Sequence, residues 1–134
     1  MVEPNTLRIG TSAFTAAGWP GTFYPAGMKP ADYLSFYATR FDTVEVDSTF
    51  YRSPPLTTVQ GWYSKTPRGF IFVAKVPQVI THEKMLADCE LEMTGFLKVM
   101  DALHEKLGPL ASFLALRLVA LTKSSHFEID FGSL

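Results

Sequence analysis

Cysteine is almost absent. Cys89 is the single one in 134 residues, which excludes an intramolecular disulfide and fits a reducing compartment. An excess of charge of either sign is also missing: twelve Lys and Arg stand against thirteen Asp and Glu, for a formal net charge of −1. No run of basic residues marks a patch, so no global field draws the chain to nucleic acid or to an anionic membrane. Long apolar runs are lacking as well. The longest, Leu110–Leu121, is broken by Ser112 and Arg117 and falls well short of the ~20 residues of a spanning helix. Met1–Asn5 has neither the basic start nor the apolar stretch of a signal peptide. These absences predict a cytoplasmic protein with no membrane partner. Repeats, low-complexity tracts and linkers are missing too, so one domain is expected. There is no Gly-x-Gly-x-x-Gly turn, no Gly-x-x-x-x-Gly-Lys-Ser/Thr loop and no Gly-x-Ser-x-Gly elbow. Nucleotide-binding open sheets and elbow-type serine hydrolases lose support accordingly.

What is present is apolar and periodic. Hydrophobic residues make up 47% of the chain, enough for a real core. Leu7–Ser12 reads as a short first strand, followed by a loop from Phe14 to Lys29 rich in Gly, Pro and aromatics. Pro30 suits the first turn of a helix, and Asp32 suits its positive end. Tyr33, Phe36, Tyr37 and Leu34, Tyr37, Phe41 supply one apolar helical face, with Arg40 expected in the last turn. The period then changes to two. In Thr43–Asp47, Val44 and Val46 take one face while Glu45 and Asp47 take the other. Ser48–Arg52 is the expected loop at the carboxyl end of that strand, and a second helix is predicted over Thr57–Lys65. Phe70–Val76 is nearly all apolar and closed by Pro77, as a parallel strand covered on both faces requires. A third helix is predicted from about Leu86 or Glu90 to Leu107, striped by Phe96, Met100, Leu103 and Leu107 and stopped by Gly108-Pro109. The resulting β-α-β-α-β-α order implies parallel strands joined by right-handed crossovers, in a barrel or an open sheet.

The polar residues of interest cluster at predicted carboxyl ends of strands. Glu45 and Asp47 on one face can act as general base and acid, or hold a divalent cation, or form a structural ion pair with a cationic neighbour. Lys75, ending its strand on the face of Ile71 and Val73, can bind phosphate or carboxylate, act as a nucleophile, or simply compensate an acid. Thr11, Ser12, Ser48 and Thr49 end strands where hydroxyls orient a ligand or cap a turn. Trp19 and Tyr51 can stack on a sugar ring or base, or cover the core. His82 lies just beyond the Phe70–Val76 strand and is a further ligand-binding candidate. His82, His104 and His126 lack metal-ligand spacing, so no metal site is expected. Cys89, between Asp88 and Glu90, is a poor nucleophile. The sequence names no cofactor.

Several blocks in order resemble the YecE-like family, a domain of unknown function. They are Arg8-Ile9-Gly10-Thr11-Ser12 with Trp19; Phe41 with Val44-Glu45-Val46-Asp47-Ser48-Thr49-Phe50-Tyr51; and Phe70-x-Phe72-x-x-Lys75-x-Pro77 with Ile80-Thr81-His82. The resemblance spans Leu7 to Leu110 and implies a TIM-type (β/α) barrel of about twice this length. It implies no reaction. Beyond Leu110 the sequence departs from the family pattern, in which Leu-Gly-Pro-Leu leads into a fourth strand; His126–Phe131 resembles a later family strand. The expectation is therefore α/β: about three β/α units of a partial TIM-type barrel over 1–110, and a divergent or truncated tail over 111–134.

Three functions remain open at this stage. One is enzyme-like acid–base chemistry on a small polar substrate, a sugar or phosphorylated metabolite, through Glu45, Asp47, Lys75 and Tyr51. The second is a non-catalytic module for a polar ligand or single-stranded nucleic acid, although the balanced charge argues against nucleic acid. The third is a fragment without independent activity, which self-associates or depends on a complementary fragment because its barrel is incomplete.

Overall fold

The computed structural model describes residues 7–112. Helix α1 covers Pro30–Tyr37, strand β1 Thr43–Val46, helix α2 Leu56–Lys65, strand β2 Ile71–Lys75, helix α3 Glu90–Met100 and strand β3 Leu107–Ala111. The strands form one parallel sheet in the order β1-β2-β3. Helices separate them along the chain, as parallel pairing requires.

The alternation read in the sequence decides which face is dry. Val44 pairs with Phe72 and Val46 with Ala74, and all four are buried against the helices with Tyr37, Val59, Trp62, Phe96, Met100 and Leu103. Each Val, Leu, Phe or Met among them, taken fully out of water, contributes about 1.5–3 kcal/mol. Glu45 pairs with Val73 on the opposite face, and Lys75, two residues after Val73, shares it.

Several expectations change, among them Arg40, which lies beyond the last turn of α1. Leu7–Ser12 forms no strand, although it lies beside β1: Glu45 N donates to Thr11 O at 3.0 Å. A side chain explains the interruption. The Tyr37 hydroxyl accepts from Thr11 N at 2.9 Å and donates to Thr43 O at 3.0 Å, occupying the place of a ladder bond. Gly10 permits the approach, since a Cβ there would lie 2.1 Å from Thr43 O.

The third helix ends at Met100, not Leu107. Asp101–Lys106 tightens into a 3-10 segment that breaks at His104, whose φ of 48° is left-handed. Gly108-Pro109 does not stop a helix but lies inside β3. Phe72 pairs with Leu107 and Ala74 with Leu110, so two β3 residues oppose Val73 in a β-bulge. There proline's missing N–H costs no ladder bond, and Gly108 fits where a Cβ would meet Ile71 Cγ2 at 2.5 Å. The Phe70–Val76 strand is therefore the centre of the described sheet. The expected break after Leu110 falls within β3; the rest of the anticipated tail, including His126–Phe131, lies outside the described residues.

The amino ends of the strands are tied by two cations. Arg8 Nη1 donates to Asp42 O at 3.3 Å and Gly69 O at 2.8 Å, and pairs with the Asp42 carboxylate at 3.4 Å. Lys106, only 4% exposed, donates to Tyr63 O at 2.7 Å and to Thr66 O at 2.6 Å, with Thr66 Oγ1 at 3.1 Å. Its ammonium thus caps the carboxyl end of α2, where cations are favoured, and lies 4.2 Å from the centre of the Tyr63 ring. Burial holds its pKa below the ordinary value.

Candidate functional site

The opposite, carboxyl end of the sheet gathers the polar candidates. Lys75 Nζ lies 3.1 Å from Glu45 Oε1. The contact follows from the register: Glu45 stands beside Val73, and Lys75 is the next residue on that face. Their side chains are 21% and 30% exposed. The pair is therefore neither buried nor fully screened, and a carboxylate and an ammonium are together within reach of solvent.

Asp47 does not extend the strand with Glu45. It opens a 3-10 turn, Asp47–Phe50, because β1 ends at Val46 and the chain folds back over the sheet. Thr49 anchors this turn. It is fully buried, with its hydroxyl 2.9 Å from Val46 O and 2.7 Å from Lys75 O. It caps the carboxyl ends of β1 and β2 and thereby positions the residues that follow.

Two of those residues bring further candidates together. Phe50 contacts the Tyr51 ring at 5.4 Å and the His82 ring at 5.2 Å, both edge-on. Tyr51 is 70% exposed and His82 is exposed. His82 sits in a wide π turn, Val79–Glu83, closed by a 2.9 Å bond from Lys84 N to Val79 O. Such turns recur at functional sites. Thr81, 1% exposed, holds His82 Nδ1 at 2.7 Å from its hydroxyl oxygen.

The remaining candidates lie differently. Thr11 is half-buried; its hydroxyl donates to Ala13 O at 2.5 Å and its carbonyl receives Glu45 N. Ser12 is exposed. Trp19 packs its ring on Phe23 at 5.1 Å and Tyr24 at 6.0 Å, within an aromatic cluster that buries Tyr24. The Tyr24 hydroxyl donates to Phe14 O, its ring stacks on Tyr33 at 4.0 Å, and burial, with smaller contributions from Tyr37 and Tyr33, pushes its pKa up to about 12. Trp19 thus belongs to the core of the first loop.

Sequence reasoning missed Phe50 and Thr81. Phe50 reads as one more apolar residue, and nothing in the order Thr81-His82 reveals that one is buried and the other outside. Among the described residues no group of three His, Cys, Asp or Glu is arranged to hold a metal ion. Nor is any described helix long and apolar enough to cross a membrane.

Comparison with known proteins places this geometry in a lineage. The chain is 35% identical over 75 residues to the UPF0759 protein YecE of Escherichia coli strain K12, covering 56% of this chain and 28% of that protein. It is 31% identical over 87 residues to the UPF0759 protein YunF of Bacillus subtilis strain 168, covering 61% of this chain and 31% of that one. The chain thus matches less than a third of the length of these relatives. Two crystal structures of a DUF72 family protein from Enterococcus faecalis V583 share the fold. One, at 2.52 Å, has 31% identity and a TM-score of 0.51, covering 68% of this chain and 41% of the other. The second, at 3.10 Å, has 29% identity and a TM-score of 0.62, covering 87% and 45%. The family model described as "Protein of unknown function DUF72" matches residues 8–116, and the chain belongs to that family.

Proposed function

We propose that the chain contributes the first β/α units of a TIM-type barrel and that the carboxyl end of its sheet binds a small polar substrate. One observation carries this reading: the partly exposed Glu45–Lys75 pair, 3.1 Å apart, at the carboxyl ends of adjacent parallel strands. Ligands of parallel β/α folds sit at that end because the βα loops converge there. A carboxylate beside an ammonium offers a proton acceptor and a cation, the components of acid–base chemistry on a hydroxylated or phosphorylated metabolite. Tyr51 adds an exposed ring.

The test is thermal unfolding of this chain, as wild type, Glu45→Gln and Lys75→Met, with and without sugars and phosphorylated metabolites. The expected outcome is a ligand-dependent rise in Tm that both variants lose, with ligand-free stability changed by only about 1 kcal/mol, as for a pair in contact with solvent. If the variants instead unfold about 3–5 kcal/mol more easily, as for a buried structural pair, and keep the wild-type ligand response, the reading is wrong.

A further inference from the structure

Thr81 and His82 form a donor arrangement that the Glu45–Lys75 pair does not explain. The Thr81 hydroxyl is buried at 1% exposure, and among the described residues its one hydrogen-bond partner is His82 Nδ1 at 2.7 Å. A buried hydroxyl proton needs an acceptor. Were His82 to carry its proton on Nδ1, that N–H would point at the Thr81 oxygen and leave the hydroxyl proton with nowhere to go. Satisfaction of both groups requires the hydroxyl to donate to Nδ1, which puts the imidazole proton on Nε2. The ring nitrogen that does not face Thr81 is then an N–H donor on an exposed residue.

We infer that His82 is a ligand-binding residue of the carboxyl-end site, presenting Nε2–H to an oxygen of an oxyanion-bearing small molecule, and that Thr81 is its positioning residue. The placement supports this. Thr49 ties its turn to Lys75 O, the next residue, Phe50, contacts the His82 ring at 5.2 Å, and Phe50 also carries Tyr51. His82 therefore shares the end of the sheet that holds the Lys75 ammonium. The Glu45 carboxylate there is already compensated by Lys75, so the group that His82 adds is a donor, and donors select anionic or carbonyl oxygen. The inference deepens the function proposed above and rests on its location of the site.

The experiment is long-range proton–nitrogen NMR of the ¹⁵N-labelled full chain, recorded about 2 pH units above the usual imidazole value. The three histidines are distinguished by the signals lost in His82→Gln. The expected spectrum shows His82 with an unprotonated Nδ1 and a protonated Nε2. Thr81→Val should lose this preference and Thr81→Ser should retain it; a spectrum showing Nδ1–H in the wild type overturns the proposal without any variant. Inorganic phosphate is then titrated in. A saturable shift of the His82 Nε2 signals supports the binding role, and an unmoved signal overturns it. The same titration of Lys75→Met separates the two ideas. Thermal stabilisation by phosphate that needs Lys75 while His82 stays unmoved would leave the proposed function standing and remove this inference. A His82 shift indifferent to Lys75 would do the reverse.

Discussion

Replacing Lys106 by Met removes an ammonium while keeping most of the volume of its stem, and it tests how the amino end of the fold is held. The ammonium serves Tyr63 O at 2.7 Å, Thr66 O at 2.6 Å and Thr66 Oγ1 at 3.1 Å. The substitution leaves these acceptors without that donor. An unsatisfied buried acceptor costs about 1–3 kcal/mol; Tyr63 O is only partly buried and recovers some of this from water. Relief of the ammonium's own desolvation, which lowers its pKa, offsets another part. The balance is a loss of about 2–3 kcal/mol, or on the order of 10 °C in Tm for a domain of this size. The sign of the pH dependence follows from the lowered folded-state pKa. Between that value and the ordinary 10.5 the unfolded chain binds the proton and the folded chain does not, so this contribution to stability rises with pH through the window. Urea unfolding of wild type and Lys106→Met across that alkaline range reads both quantities. A variant within 0.5 kcal/mol of wild type (about the scatter of neutral surface changes) would refute the assignment of Lys106 as the cap of α2, and a wild-type advantage that shrinks as pH rises through the window would refute the lowered pKa.

Four other outcomes are expected. Gly108→Ala should destabilise by about 1–3 kcal/mol in urea titrations, because the new Cβ would meet Ile71 Cγ2 at 2.5 Å and press β3 away from β2. His104→Gly should stabilise by about 1 kcal/mol or less, since φ of 48° suits glycine and the released strain exceeds glycine's chain entropy. Tyr24, with its pKa raised to about 12, contributes stability that is full below the unfolded value of 10 and lost as pH rises towards 12; Tyr24→Phe should flatten that alkaline decline in circular dichroism. The purified chain should self-associate on size-exclusion chromatography, because β3 forms the outer edge of the described sheet and edge backbone groups invite pairing; a sharp monomer peak would contradict this.

The parts of the fold set by periodicity were legible in advance. Val44 and Val46 announce a strand with one dry face, and Phe96, Met100 and Leu103 announce a buried stripe whether the backbone is α-helical or tighter; all five are buried. The pairing of Lys75 with Glu45 was legible because both are set by a period of two on adjacent strands. What the sequence concealed depends on single long-range contacts. Nothing local tells that the Tyr37 hydroxyl will stand between Thr11 and Thr43, or that Lys106 will reach the carbonyls of Tyr63 and Thr66, 43 and 40 positions away. Gly108-Pro109 misled because the same two residues end helices and make bulges, and only the neighbouring strand decides which. At the site, Asp47 was placed one residue too far along β1, since alternation continues in the sequence where the backbone has already turned.

The bulge in β3 has a consequence for the space around Lys75. With Phe72 beside Leu107, an unbroken ladder would set Lys75 beside Leu110; the extra residue shifts the phase so that Ala111 stands there instead. Parallel partners point to the same side of a sheet, so the neighbour of the Lys75 side chain is a methyl group and not an isobutyl group. Gly108-Pro109 thus sets, at a distance, which side chain stands beside Lys75. Deleting either residue would close the bulge and, with Leu107 still beside Phe72, leave Ala111 beside Lys75 in a regular ladder. The phase of the sheet at Lys75 is decided two to three residues upstream of Ala111, where the bulge absorbs one residue.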